Sequence, residues 1–168
     1  MALGAAGDVD ADGYDDVLLG APGHDSGGTD AGRVYLVAGS STVRLTTWAT
    51  FDGEYGDSVG AAVRGVGDVD ADGYDDFGVG AYGHDSGGAS AGAAFVFMGG
   101  VSLASGLATD ADHGWLGTAA GDYAGAPVVG LRDVNGDGLP DIGVGAVEND
   151  DAASGAGAAY VLFGSGGL

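Results

Sequence analysis

Three short stretches concentrate carboxylates at a spacing suited to a metal ion: GDVDADGYDD at 7–16, the same ten residues at 67–76, and RDVNGDGLPD at 132–141. In the first, oxygen-bearing side chains fall at loop positions 1, 3, 5 and 9, as Asp8, Asp10, Asp12 and Asp16. The second supplies Asp68, Asp70, Asp72 and Asp76, and the third Asp133, Asn135, Asp137 and Asp141. Position 6 is always glycine (Gly13, Gly73, Gly138), which permits the sharp reversal that folds those oxygens around one point. Position 7 is Tyr14, Tyr74 and Leu139, a change of chemistry expected where only the backbone carbonyl serves as ligand. Position 8 is Asp15, Asp75 and then Pro140, which argues against a ligand there.

An all-oxygen set of six or seven ligands with flexible geometry fits a hard cation, and calcium better than magnesium. One ion per loop, about three in all, is the expected complement. Zinc, copper and iron call for His or Cys, which the loops lack. An EF-hand loop starts in the same way but needs a bidentate Glu at position 12 and a following helix. Position 12 here is Leu19, Val79 and Val144, inside apolar runs, so that alternative fails. A solvated acidic turn is the bland reading of one such loop; three at a fixed place in a repeat weigh against it.

The loops sit inside units that recur along the chain. An offset of 60 aligns 1–40 with 61–100, and an offset of 65 aligns 55–100 with 120–165, both without gaps. Each acidic loop is preceded by a small-residue run, as in SVGAAVRGV (58–66) and YAGAPVVGL (123–131). It is followed by VLLGA (17–21), FGVGA (77–81) or IGVGA (142–146). A Gly-rich loop then leads to RVYLVAG (33–39), AAFVFMG (93–99) or AAYVLFG (158–164). Val, Ile, Phe and Tyr favour strands. A fourth strand is predicted at 43–51, with a weaker counterpart within 101–118. No helical periodicity is evident, although VSLASGLA (101–108) is ambiguous. Four antiparallel strands repeated every 60 to 65 residues predict the blades of a β-propeller, so the fold class is all-β. The expected division is a first blade at 1–54, a second at 55–119 and a third, lacking its last strand, at 120–168.

Composition narrows the partners. Twenty-five acidic residues oppose four basic ones, for a net charge of −21, so nucleic acid and anionic membrane surfaces are unfavourable partners. Thirteen of those acids lie in the three loops, which makes cations the natural partner. With no cysteine, disulfides and thiolate metal sites are excluded. No run approaches the roughly 18 apolar residues of a membrane-spanning helix. The N-terminus does not read as a signal peptide, and Met1 directly before a repeat fragment reads as a recombinant start.

These units resemble FG-GAP repeats, the blades of the integrin α-subunit propeller and its bacterial relatives. YGDSVG (55–60) is similar to the family's Phe-Gly element with Tyr55 for Phe, and GAPG (20–23) to its Gly-Ala-Pro element. The latter weakens to GAYG (80–83) and GAVE (145–148), and AGDYAG (120–125) places Ala120 at the aromatic position. The acidic loop matches the family's calcium loop. The resemblance implies an extracellular or cell-surface, non-enzymatic module for adhesion or for binding an extracellular protein or glycan. It equally admits an accessory segment of an extracellular hydrolase or lyase, or an engineered propeller fragment. The family's propeller has seven blades, so this segment is expected to join remaining blades or to self-associate.

Other candidates carry less. GHDSGG (23–28 and 83–88) invites a Ser26–His24–Asp25 triad, but three neighbours in one turn line up poorly, and Asp25 and Asp85 are better read as closing Asx-turns. His24 and His84 lack obvious partners for a transition metal. Trp48 and Trp115 are read as packing residues ahead of carbohydrate platforms. A glycosidase pair from Glu54, Glu148, Asp110 and Asp112 has no support in the pattern.

Overall fold

The computed structural model describes residues 1–42 and 46–166. Among them the only helical element is a single 3-10 turn at Ala108–Asp110, and the rest of the regular structure is β. The first sheet takes β1 (Ala2–Gly7), β2 (Asp16–Ala21), β3 (Arg33–Ala38) and β4 (Thr46–Asp52) in chain order, with β8 (Gly106–Leu107) at its edge. The second orders β5 (Ala62–Gly67), β6 (Asp76–Ala81), β7 (Ala93–Phe97) and β9 (His113–Leu116). The third holds β10 (Ala124–Arg132), β11 (Asp141–Ala146) and β12 (Ala158–Leu162). These are three antiparallel blades of an open, partial propeller.

The acidic loops join the first and second strand of each blade, and register repeats with them: Leu3 opposes Leu19, Val63 opposes Val79, and Val128 opposes Val144. The fourth strand predicted at 43–51 is β4, although residues 43–45 lie outside the described residues. Its weaker counterpart is β9. The ambiguous 101–108 segment is not helical; β8 runs parallel to β4, Phe51 beside Gly106, so the link from β7 to β9 returns to cover the first blade's outer edge. That makes the first sheet five-stranded instead of four.

The core lies between blades. Leu18, Leu36 and Phe51 of the first blade pack on Phe77, Val79 and Phe97 of the second, and the Phe77 and Phe97 rings stack with centroids 5.1 Å apart. Val66 and Val96 of the second blade meet Val128, Ile142 and Val144 of the third. The inner strands approach too closely for side chains at one point: a Cβ on Gly80 would run into the carbonyl oxygen of Gly125, as one on Gly20 would into that of Gly60. Trp115 packs its ring 4.3 Å from Tyr160 across the second junction, and Trp48 is half-buried against the first core, so both tryptophans serve packing.

Candidate metal centres

Each acidic loop is wound by its own side chains. Asp8 accepts the Asp12 N–H on Oδ1 at 3.0 Å and the Gly13 N–H on Oδ2 at 3.0 Å. Asp68 does the same with Asp72 and Gly73, both at 3.0 Å. Asp133 takes Asp137 at 3.2 Å, Gly138 at 2.9 Å and also Gly136 at 2.6 Å. The acids at positions 3 and 5 each accept the N–H two residues on: Asp12 on Asp10 at 3.1 Å and Tyr14 on Asp12 at 2.9 Å. Asp70 and Asp72, then Asn135 and Asp137, repeat this pair of bonds. The turn this imposes falls on the position-6 glycines, whose φ values are 92°, 96° and 96° for Gly13, Gly73 and Gly138.

The position-9 aspartates are buried and tie each loop to the sheet. Asp16 accepts the Val9 N–H at 3.0 Å and the Gly39 N–H at 2.8 Å. Asp76 takes Val69 at 2.7 Å and Gly99 at 2.8 Å, and Asp141 takes Val134 at 2.7 Å and Gly164 at 3.1 Å. Both oxygens of each are engaged, yet a carboxylate oxygen keeps a second lone pair. Burial pushes the Asp76 carboxyl up to about 6, with the Asp70 and Asp72 charges adding to it against those two N–H bonds. Burial raises Asp16 in the same direction, and Asp70 is raised by partial burial and by Asp72 and Asp68.

One oxygen from each of Asp8, Asp10 and Asp12 lies within 4.8 Å of the others, and the same holds for Asp68, Asp70 and Asp76. The third loop has Asn135 at position 3, whose amide donates to Asp137 Oδ2 at 2.7 Å. Neither lysine nor arginine falls within 8–16, 68–76 or 133–141. The donor set is therefore all oxygen, convergent in the first two loops and without an internal cation, a fit to a hard divalent ion. Tyr14 and Tyr74 place their N–H groups on the position-5 acids, as Leu139 does.

One residue that was set aside as a ligand couples neighbouring loops. Asp75 Oδ2 accepts the Asp8 N–H at 2.9 Å, and the Asp75 N–H donates to the Asp8 carbonyl at 3.1 Å. Position 8 thus grips position 1 of the preceding loop. The recurrence of Asp15 and Asp75 was the available signal, and Pro140 removes the device from the second junction because it has neither carboxylate nor N–H.

The GHDSGG loops are wired differently from the expected Asx-turns. Asp25 and Asp85 accept the N–H five residues on, from Asp30 at 3.0 Å and Ser90 at 2.8 Å, so they close wider loops. His84 Nδ1 sits 3.0 Å from Asp57 Oδ1, and its Nε2 lies 2.8 Å from Ser86 Oγ. Asp57, not Asp85, orients this histidine, and its hydrogen bond raises the His84 pKa. In the first blade Ser26 Oγ lies 3.1 Å from His24 Nδ1 and donates to Asp52 at 2.7 Å, and Asp52, in place of an aspartate on the histidine, is held by Arg33. A relay rewired between copies of one loop fits loop fixing. Asp110 and Asp112 accept backbone N–H groups of Leu107 and Met98 and form no pair with a glutamate among the described residues.

Residues 2–37, which span the first three strands and the first acidic loop, match the family model of the FG-GAP repeat. Residues 2–37 carry an FG-GAP repeat. Integrin alpha-5 of Xenopus laevis is 33% identical over 150 residues, 84% of this chain and 14% of the relative. Integrin alpha-PS2 of Drosophila melanogaster is 41% identical over 86 residues, 46% of this chain and 6% of the relative. The chain thus spans a small fraction of the length of both. Among the described residues no helix is long and apolar enough to cross a membrane.

Proposed function

We propose that this chain is a calcium-stabilised segment of an extracellular or cell-surface FG-GAP propeller, used without catalysis for adhesion or ligand binding. The blades are read as 1–54, 55–119 and 120–168. Asp8, Asp10, Asp12 and Asp16, with the Tyr14 carbonyl, would hold one ion. Asp68, Asp70, Asp72, Asp76 and the Tyr74 carbonyl would hold a second, and Asp133, Asn135, Asp137, Asp141 and the Leu139 carbonyl a third. Bound calcium supplies positive charge that offsets the mutual repulsion of these acids.

The convergence of three carboxylate oxygens within 4.8 Å in each of the first two loops carries this reading. The surface role is supported by the similarity to two proteins named as integrin α chains. Calcium titration by calorimetry tests the metal assignment: a stoichiometry of about three is expected, and no heat in any buffer would refute it. A panel of matrix proteins and glycans, probed with calcium and again with chelator, tests the ligand-binding role; calcium-dependent capture of one of them is the expected result.

A further inference from the structure

The third acidic loop departs from the first two at two adjacent positions. Where they read Asp10–Ala11 and Asp70–Ala71, it reads Asn135–Gly136. An asparagine followed by glycine is the pairing most open to attack on its side-chain amide by the next backbone nitrogen, because no Cβ shields that nitrogen and the glycine backbone turns freely. Gly136 has a φ of 83° and is exposed, and a Cβ at that position would meet no atom beyond its chain neighbours within 4 Å. The chain has one other asparagine, Asn149, and no glutamine. Asn149 is buried and precedes Asp150.

Two hydrogen bonds of the loop favour that attack. The Gly136 N–H donates to Asp133 Oδ1 at 2.6 Å, so a carboxylate oxygen stands ready for the proton this nitrogen must lose. The Asp137 N–H donates to Asn135 Oδ1 at 2.9 Å, on the oxygen where negative charge gathers as the nitrogen attacks. The exposure of the site does not depend on what adjoins the third blade. Ala11 and Ala71 stand at the position of Gly136 in loops whose blades each have a following blade packed beside them, and both are exposed.

We propose that Asn135 deamidates through Gly136, and that an ion held in the loop slows the change. The Gly136 nitrogen bonds to Asn135 Cγ, and its proton passes by way of Asp133 to the departing amide. The Cγ–Nδ2 bond breaks and ammonia leaves. Water then opens the resulting five-membered imide at one of its two carbonyls, giving aspartate or isoaspartate at 135. Aspartate is what the first two loops carry at this position, and it adds a ligand charge. It also frees Asp137 Oδ2 from the Asn135 amide hydrogen, donated at 2.7 Å. Isoaspartate lengthens the backbone by one atom and breaks the ligand spacing. The modification stands on the chain's own chemistry; its slowing by calcium rests on the third loop being a metal site.

The test incubates the 168-residue chain in mildly alkaline buffer, with chelator or with calcium, and cleaves it at Arg132, the last basic residue, so that mass spectrometry reads 133–168 as one peptide. With chelator this peptide should gain the mass of an amide-to-acid conversion, placed by fragmentation at 135 and not at 149. It should also split into two forms of equal mass, one of them co-eluting with the peptide from Asn135→Asp. Gly136→Ala should lose most of the conversion with the circular-dichroism spectrum unchanged, since Ala11 and Ala71 occupy this position at φ values of 56° and 64°. At free calcium about twenty times the dissociation constant, the ion-free fraction of the loop is about one in twenty, so conversion should slow about twentyfold. An intact Asn135 in the chelated chain overturns the proposal, as does conversion at equal rates in wild type and Gly136→Ala. Equal rates with and without calcium overturn the control by the ion, and calorimetry on the same samples separates that outcome from a failure of the metal reading itself.

Discussion

Asp75 of the second acidic loop holds both backbone groups of Asp8 in the first, accepting its N–H at 2.9 Å and donating to its carbonyl at 3.1 Å. The position that opens one loop is thereby fixed by the neighbouring blade. Asp75→Ala removes the acceptor and leaves the half-buried Asp8 N–H without a partner, at a cost of about 1–3 kcal/mol. Urea denaturation should show that loss, and calcium titration should show it at the first site although the substitution lies in the second loop. An unchanged first-site affinity would sever the coupling between loops.

Asp70 and Asn135 occupy the same loop position, so Asp70→Asn places the third loop's residue in the second. The amide oxygen can still accept the Asp72 N–H, while the charge that crowds Asp68 and Asp72 is removed. The metal-free protein should gain stability and the calcium-loaded protein should lose it, because a ligand charge is gone. Paired thermal melts, with chelator and with calcium, read both signs. Equal signs in the two melts would contradict the assignment of Asp70 as a ligand.

Gly80 lies against the carbonyl oxygen of Gly125 in the next blade, and both are backbone neighbours with little freedom to move. Gly80→Ala should cost about 2–3 kcal/mol by forcing the second and third blades apart. A denaturation midpoint within error of wild type would show that the junction is looser than its packing.

His84, buried between Asp57 and Ser86, has its pKa raised first by the Asp57 hydrogen bond and then by the charges of Asp57, Asp85 and Glu54, against burial. A folded pKa above the unfolded 6.5 means the contribution is fully present below that value and is lost as pH rises through the folded one. In saturating calcium, melting temperature should fall as pH rises above the unfolded value of 6.5 more steeply in wild type than in Asp57→Asn. Parallel profiles would remove the pair from the pH response.

What the sequence made legible was local. The ligand spacing of 8–16 lies within one turn of chain, and the inner strands sit in ungapped copies whose Val, Phe and Tyr alternate predictably. The outer edge was harder to read. β8 is two residues long, and its parallel bond to β4 joins Phe51 to Gly106, a pairing no local pattern encodes. The same distance hid Asp57 from His84, 27 residues apart, and Asp75 from Asp8, 67 apart. Position 8 looked idle because its partner belongs to another loop.

Calcium as the agent that holds the three loops closed is tested most directly by scanning calorimetry of the chain with chelator and with excess calcium. At free calcium about twenty times the dissociation constant, each occupied site contributes about 1.8 kcal/mol, and three contribute about 5, comparable to the stability of a small domain. The chelated chain should therefore melt many degrees lower or show no cooperative transition. Superimposable transitions in the two conditions would contradict the account.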